Sequence, residues 1–162
     1  MNIKRNRPSK KSKWKQSYFQ PKRPAKYIGP YPIICRSSWE TKFCMYCDNT
    51  DNIIEWASEP IKVRYYNPRD KKYHDYFPDF YMKVKKPSGN KISYLVEVKP
   101  YRETLKPKPP KRKTTQAVKN YKYAVETYIR NFFKSRAATL YARERGWEFI
   151  IVTEKFLKSW HY

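Results

Sequence analysis

The sequence lacks any run of apolar residues long enough to cross a membrane, and no apolar signal-peptide segment follows the basic residues at its start. Acidic residues are also scarce, with 14 Asp and Glu against 37 Lys and Arg. The three cysteines, Cys35, Cys44 and Cys47, cannot all pair with one another, which is typical of a protein in a reducing compartment. These absences argue against a membrane protein and a disulfide-stapled secreted domain, and we expect the chain to act where it is made.

The apolar residues Leu, Ile, Val and Phe together make up less than a fifth of the 162 residues, a share typical of disordered chains. Against disorder stand 5 Trp, 16 Tyr and 8 Phe, because each ring buries a large area and disordered chains contain few rings. The length fits a single domain. We therefore expect one small domain whose core is rich in aromatic rings.

The formal net charge of +23 predicts a polyanionic partner, because a compact domain with this charge repels itself. Nucleic acid is the expected partner, and we expect no membrane partner because no long basic amphipathic helix is suited to lipid. Residues 1–36 contain 11 basic residues, no acidic residue and several prolines, with rings at Trp14, Tyr18, Phe19, Tyr27 and Tyr31. We interpret residues 1–36 as an extended basic arm along a partner or along the domain, and residues 37–162 as the domain itself.

Residues 37–162 show helical and strand patterns in succession. Ser37 and Glu40 fit a capping box at the start of a helix. A turn at residues 87–90 predicts an antiparallel hairpin between strands at roughly 76–85 and 92–99. Apolar residues at helical spacing from Thr114 or Thr115 to Gly146 predict one helix or two. With further strands at 53–56, 61–66 and 147–153 and a final helix at 154–160, the pattern predicts an α/β fold in which helices flank a mixed sheet.

Glu97 and Lys99 lie two residues apart on the second strand of this hairpin, so they share one face while Val96 and Val98 point to the opposite, core-facing side. Folding the hairpin about its turn places Asp79 beside Glu97, within one residue of direct register. Carboxylates directly across a strand ladder repel each other, so a purely structural sheet should avoid this pair. A divalent cation between the two acids removes the objection.

Asp79 and Glu97 are therefore predicted to bind Mg²⁺, with Mn²⁺ as a substitute, through hard oxygen ligands that leave room for water and a phosphate oxygen. Lys99 is predicted to stabilise the phosphate or to orient the attacking water. The ion would lower the pKa of its bound water and neutralise charge on the transferring phosphoryl group. These are the tasks of phosphodiester hydrolysis, so the sequence predicts a metal-dependent DNA nuclease. No recognition helix, zinc finger or base-reading motif is visible, so we expect little sequence specificity.

Pro78-Asp79 followed by Glu97-Val98-Lys99 resembles the PD-(D/E)xK signature of restriction-endonuclease-like nucleases. Glu40 matches an additional first-helix acid of that superfamily, which implies a catalytic, metal or metal-adjacent role for it; the alternative is the capping box alone. The chain also resembles TnsA-like endonucleases and, more closely, the head completion nucleases of large contractile-tailed bacteriophages. The residues that carry this likeness are 33–40, 73–80, 94–100 and 145–154.

The resemblance to head completion nucleases implies a place and a time of action. It implies cleavage of double-stranded or packaged DNA in the cytoplasm of an infected bacterial host, at the step where filled heads become able to join tails. Phage head, portal or neck proteins are the implied partners. The sequence leaves four points open: whether the protein stays in the finished virion head, whether it forms a dimer, whether it acts as an endonuclease or an exonuclease, and which DNA structure it prefers.

A proline-rich basic segment follows the strand that carries Glu97 and is predicted to clamp the DNA backbone near the scissile phosphate. The candidate DNA-binding residues are Arg102, Lys106, Lys108, Lys111, Arg112 and Lys113. His74 lies five residues before Asp79 and is an accessory candidate, as a general base or a phosphate contact. Its alternative role is that of a polar residue at the end of a strand.

Cys44 and Cys47 form a single CxxC pair at helical spacing. Because no second pair completes a tetrahedral zinc site, we expect buried core thiols and no zinc. The main alternative to an enzyme is a non-enzymatic virion protein that uses the arm to bind packaged DNA or neighbouring head proteins. An RNA-binding protein of ribosomal type is a further alternative, but it leaves Asp79 and Glu97 unexplained.

Overall fold

The computed structural model describes residues 16–160. Its strands are β1 (Ser17–Phe19), β2 (Ile33–Cys35), β3 (Ile53–Ser58), β4 (Val63–Asn67), β5 (Lys72–Tyr76), β6 (Phe80–Lys85), β7 (Lys91–Val98) and β8 (Glu148–Val152). Its α-helices are α1 (Ser38–Asn49), α2 (Tyr101–Thr104), α3 (Thr115–Arg143) and α4 (Glu154–Ser159), and a short 3-10 turn lies at Pro24–Lys26. Within these residues, every helix is too short or too polar to span a lipid bilayer.

The central sheet has the strand order β3-β6-β7-β8. Strand β6 pairs antiparallel with both β3 and β7, whereas β8 runs parallel to β7. A parallel neighbour needs a crossover connection, and α3 lies in the segment between β7 and β8. The predicted α/β fold with a mixed sheet flanked by helices is therefore confirmed.

Both faces of the sheet carry a hydrophobic core. On one face Phe80, Met82 and Val96 pack with Phe43 of α1 and Leu157 of α4. On the other face, Leu95 is buried among residues of β4, β5 and α3. The expectation of core on one face and charge on the other is therefore wrong, because the face that carries Glu97 is covered by a helix and a second hairpin.

That covering layer depends on small residues of α3. Ala138 and Ala142, one turn apart, are both fully buried in the same core as Leu95. The two-stranded sheet of β4 and β5 contributes Val63, Tyr65 and Tyr76 to the same core. Alanine allows the helix backbone to approach the sheet closely, so α3 and the hairpin enclose one end of β7.

Residues 16–36, the described part of the predicted arm, pack against the rest of the structure. Strand β1 pairs antiparallel with β2, and Tyr27, Ile33 and Cys35 are buried in the first core. The buried carboxylate of Asp48 accepts hydrogen bonds from the backbone amides of Lys22 and Arg23, at 2.8 and 3.1 Å. Trp14 and the rest of residues 1–15 lie outside the described part, so the division at residue 36 stays a prediction.

Three predicted elements differ in detail from the structure. The single strand at 76–85 is wrong, because residues 77–79 separate β5 from β6 and proline at 78 has no amide hydrogen to donate to a ladder. The pattern from Thr115 onward forms one helix, which Thr114 caps through a 3.2 Å hydrogen bond from the Ala117 amide. The strand predicted at 147–153 is β8, an edge strand in which only Val152 is buried.

The cysteines lie in the first core as expected. Cys35, Cys44 and Cys47 are all fully or almost fully buried and unpaired by disulfides. The sulfur atoms of Cys35 and Cys44 are 3.5 Å apart, and burial raises the pKa of Cys44. Cys44 and Cys47, the two residues of the CxxC pair, therefore pack as small core residues.

Candidate active site

The hairpin of β6 and β7 sets the distance between the two acids. Its last paired residues are Phe80 and Val96, so the residues one step further, Asp79 and Glu97, stand opposite each other. The backbone amide of Val98 donates a 2.7 Å hydrogen bond to Oδ2 of Asp79. The predicted juxtaposition of Asp79 and Glu97 is therefore present, although Asp79 precedes the strand instead of lying within it.

Glu97 is held from both sides. The ammonium group of Lys99 lies 3.0 Å from Oε1 of Glu97, and both side chains are only about one-eighth exposed. The hydroxyl group of Tyr76 donates a hydrogen bond to Oε2 of the same carboxylate. Burial and the charge of Glu97 raise the pKa of Tyr76, which keeps this donor protonated.

The environment of Asp79 is unfavourable for a lone carboxylate. Burial, followed by the charges of Glu97 and Glu40, raises the pKa of Asp79 well above its ordinary value. The hydrogen bond from Val98 and the charge of Lys99 oppose this rise without cancelling it. Carboxylate oxygens are the ligands that Mg²⁺ and Mn²⁺ prefer, so the donor set of Asp79 and Glu97 fits a hard divalent cation, which would relieve the repulsion.

Glu40 forms a variant of the predicted capping box, in which its carboxylate accepts from the amide of Arg36, one residue before the N-cap Ser37, instead of from the Ser37 amide. Its amide donates to Oγ of Ser37 at 3.1 Å, and its own carboxylate accepts from the Ser37 hydroxyl at 2.9 Å and from the Arg36 amide at 2.8 Å. Burial raises the pKa of Glu40, and its charge also acts on Asp79. Glu40 therefore caps α1 and lies within electrostatic range of Asp79.

Across residues 16–160, no three Cys, His, Asp or Glu side chains form a cluster of the kind that binds a metal ion. The compact donor set therefore consists of Asp79 and Glu97, with Glu40 set apart by its capping bonds. A direct contact between Glu40 and a cation stays a prediction from the resemblance.

A cleft of about 840 Å³ opens between the start of α1 and the segment that follows β7. Trp39, Glu40 and Lys42 line it from α1, and Val98 and Arg102 line it from the other side. Val98 is the residue whose amide holds Asp79. The cleft therefore reaches the candidate site and carries both an aromatic ring and cationic groups.

The remaining predicted DNA-binding residues lie on the segment between α2 and α3. Lys106, Lys108, Lys111, Arg112 and Lys113 are all exposed there. His74 lies elsewhere, on β5, where its Nε2 atom is 2.6 Å from Oδ2 of Asp70. The structure thus gives His74 a role in the outer hairpin and does not bring it together with Asp79 and Glu97.

Sequence reasoning missed two residues at this site, Tyr76 and Lys134. Tyr76 was expected to begin a continuous strand, yet it ends β5 and turns its hydroxyl group to Glu97. Lys134 lies on α3, half-buried, with its ammonium group 5.1 Å from the centre of the Tyr76 ring. Helical spacing places Lys134 on the same face as Ala138, but only the structure shows that this face is buried.

Comparisons with known proteins show the family of this chain. Residues 50–154 match the family described as TnsA-like endonuclease N terminal, a range that includes Asp79, Glu97 and Lys99 but not Glu40. The head completion nuclease of Enterobacteria phage T4 is 36% identical over 140 residues, which cover 86% of this chain and 91% of that protein. No solved structure matches the chain. The chain therefore belongs to the family of TnsA-like endonuclease N-terminal domains.

Proposed function

We propose that this protein is a metal-dependent DNA nuclease that cleaves phosphodiester bonds with little sequence preference. The observation that carries the proposal is the convergence of Asp79, Glu97 and Lys99 at one end of the hairpin. Two acids that face each other under a covering helix destabilise a fold unless a cation joins them, so their presence indicates a function. Membership of an endonuclease family supports the same reaction.

Asp79 and Glu97 would bind the cation, Mg²⁺ or Mn²⁺, and Glu40 would act on it directly or through its charge. When bound, such an ion lowers the pKa of a water ligand and offsets charge on the phosphoryl group. The chain's own groups prepare this arrangement: the Val98 amide orients Asp79, and the Tyr76 hydroxyl orients Glu97. Lys99, held against Glu97, presents an ammonium group to the phosphate that is cleaved.

The substrate is proposed to be double-stranded or packaged DNA. The exposed basic residues at 106–113 supply contacts to phosphates, and such contacts bind without regard to sequence. The cleft beside Glu40 provides a path for one strand, with Arg102 at its edge. The cleft includes Val98, the last residue of β7, and the basic segment begins eight residues after it in the chain, so we propose that DNA held by this segment enters the cleft.

The similarity to a head completion nuclease supports a role in phage head completion before tails are joined. We place this role in the cytoplasm of the infected host, with head, portal or neck proteins as further partners. A phage whose chain carries Asp79→Ala is expected to accumulate filled heads that do not join tails. Joining at the normal level, with that variant shown to be inactive on DNA, would contradict this placement.

The direct test is cleavage of supercoiled plasmid and linear duplex by the purified protein in Mg²⁺, in Mn²⁺ and in EDTA. We expect cleavage only with a divalent ion, and its loss in Asp79→Ala and Lys99→Ala while duplex binding persists. Matched controls are Asp75→Ala and Lys62→Ala, which remove the same charges from an exposed ion pair with a 3.3 Å separation. These controls should cleave like the unaltered protein.

Calorimetry separates the enzyme from a protein that only binds DNA. The unaltered protein should release or absorb heat on titration with Mn²⁺, and Asp79→Ala should not. If both proteins bind duplex equally, leave it intact and show no heat with Mn²⁺, the chain is a non-enzymatic DNA-binding protein. Sequencing the ends of the fragments tests specificity, since cuts confined to one motif would contradict non-specific cleavage.

A further inference from the structure

We propose that Lys134 of α3 is a second cationic residue of the active site, whose ammonium group offsets negative charge that builds up around Glu97 during cleavage. This inference rests on the proposed nuclease function and deepens it. It assigns a part of the site to a helix that lies far from the acids along the chain and whose residues entered none of the motifs above.

The position of Lys134 follows from the way α3 packs. Ala138 and Ala142 are fully buried against the sheet, and Lys134 precedes Ala138 by four residues, so it belongs to the same face of the helix. An amphipathic helix normally places apolar residues along its core-facing stripe. Here the stripe continues with a lysine at the end of β7 where Glu97 lies, and Arg130 stands one turn before that lysine.

The surroundings of Lys134 are those of an active-site cation rather than of a surface lysine. Its ammonium group lies 5.1 Å from the centre of the Tyr76 ring and 5.6 Å from that of Tyr65, both within the range of cation–π attraction. Tyr76 is the residue whose hydroxyl group binds Glu97. Tyr76 therefore contacts both Lys134 and Glu97, which is a proposed metal ligand.

Charge links Lys134 to the whole site. Burial lowers its pKa, and the charges of Lys99 and Arg130 act in the same direction, whereas those of Glu97 and Asp79 raise it. Cation–π attraction to the two rings offsets part of the cost of half-burying this charge, whereas methionine would fill the same space without that cost. A charge held beside the acids does gain a role when a phosphodiester acquires additional negative charge in the transition state.

The test compares the full-length protein with Lys134→Met, Lys134→Arg and the control Arg136→Met. Methionine keeps the length of the side chain and removes its charge, and arginine keeps the charge. Arg136 is an exposed cation on the same helix, two residues further on, and has no part in the proposed site. For each protein, kcat and KM for duplex cleavage, the calorimetric Kd for Mn²⁺ and the melting temperature are measured.

Three results together would support the role of Lys134. We expect kcat of Lys134→Met to fall on the order of tenfold or more, because one nearby charge is removed from the transition state. Its affinity for Mn²⁺ should equal or exceed that of the unaltered protein, because a cation that repels the metal has been removed. Its melting temperature should not fall, and Lys134→Arg should keep kcat within about fivefold of the unaltered protein.

Other results would overturn the inference. A Lys134→Met protein that cleaves within twofold of the unaltered protein refutes it, and so does an equal loss of kcat in Arg136→Met. A joint fall in melting temperature, Mn²⁺ affinity and kcat would show a structural role instead. If the unaltered protein cleaves no DNA with either metal, the proposed function fails and this inference fails with it; if it cleaves and Lys134→Met cleaves equally, only the inference fails.

Discussion

Replacing Asp79 by Asn should stabilise the fold in the absence of metal while it removes activity. Residues directly opposite in an antiparallel pair have Cβ atoms roughly 5 Å apart. Two unit charges at about 5 Å would repel by about 3 kcal/mol at an effective dielectric constant of about 20, and uptake of a proton by Asp79, whose pKa is raised, relieves part of this repulsion. Asparagine still accepts the Val98 amide hydrogen, but the bond to a neutral acceptor is weaker by about 1 kcal/mol, and some attraction from Lys99 disappears. The net gain should be about 1–2 kcal/mol.

The assay is thermal unfolding in EDTA near neutral pH, followed by the same measurement with Mg²⁺. For a domain of this size, about 1–2 kcal/mol corresponds to a rise in melting temperature of about 2–8 °C for Asp79→Asn. Mg²⁺ at about ten times its Kd should stabilise the unaltered protein by about 1.4 kcal/mol and should have little effect on the variant. The two proteins should therefore differ in EDTA and converge as Mg²⁺ is added.

The pH dependence of unfolding gives a second check on whether Asp79→Asn raises the stability of the fold. The pKa of Asp79 is raised in the folded state, so folding favours its protonated form. The unaltered protein should thus lose stability relative to Asp79→Asn as the pH rises from the ordinary carboxyl range through the raised pKa. Below about pH 4, where the carboxyl group is protonated in both states, the difference should disappear.

The control is Asp75→Asn, which removes one negative charge from an exposed ion pair with Lys62. An exposed pair of this kind contributes about 0–1 kcal/mol, so the control should not gain stability. Our reasoning is refuted if Asp79→Asn melts at or below the unaltered protein in EDTA. It is equally refuted if the control gains as much, since net charge rather than the acid pair would then explain the effect.

Three further predictions concern the arm, the capping box and the basic segment. Asp48→Ala should lower the free energy of unfolding in urea by about 2–4 kcal/mol, because two backbone amides of the arm lose a buried, charged acceptor. A change below about 0.5 kcal/mol would show that the arm does not depend on Asp48. Glu40→Gln should slow cleavage without lowering the melting temperature, since Gln also completes a capping box. Ser37→Ala should destabilise the protein by about 1 kcal/mol. Equal destabilisation by both variants would mean that Glu40 has a structural role only. Neutralising the five cations at 106–113 should make duplex affinity less steeply dependent on salt. The slope of log affinity against log salt concentration should fall by about 0.9 for each phosphate that the protein no longer neutralises. The value of kcat at saturating DNA should stay unchanged. An unaltered salt slope would mean that this segment does not bind DNA.

Local sequence patterns were sufficient wherever the structure depends on neighbouring residues. The turn at 87–90 forms with a 2.8 Å hydrogen bond from the Lys86 amide to the Asn90 carbonyl, and Gly89 adopts a φ of 86° that favours glycine. This turn sets the register that brings Asp79 to Glu97. Thr114 caps the long helix by the same kind of local contact.

Errors arose where strands and helices meet over long distances in the chain. Periodicity shows which residues share a face, but it does not show whether that face is solvated or covered. Leu95 points to the same side as Glu97, and only the packing of α3 and the β4–β5 hairpin buries it. The break after Tyr76 was missed for a related reason, since residues 77–79 leave the ladder to form the corner at which Asp79 is held.

The sequence by itself determined which acids face each other, the face of β7 on which Glu97 lies and the register of the hairpin, because these depend on a two-residue strand period and a tight turn. It also determined the net positive charge that favours DNA as the partner. Only the tertiary structure brought the Tyr76 hydroxyl to Glu97 and the ammonium group of Lys134 to the Tyr76 ring. Their contribution depends on how closely α3 packs on the sheet, and that distance results from core packing among residues far apart in the chain.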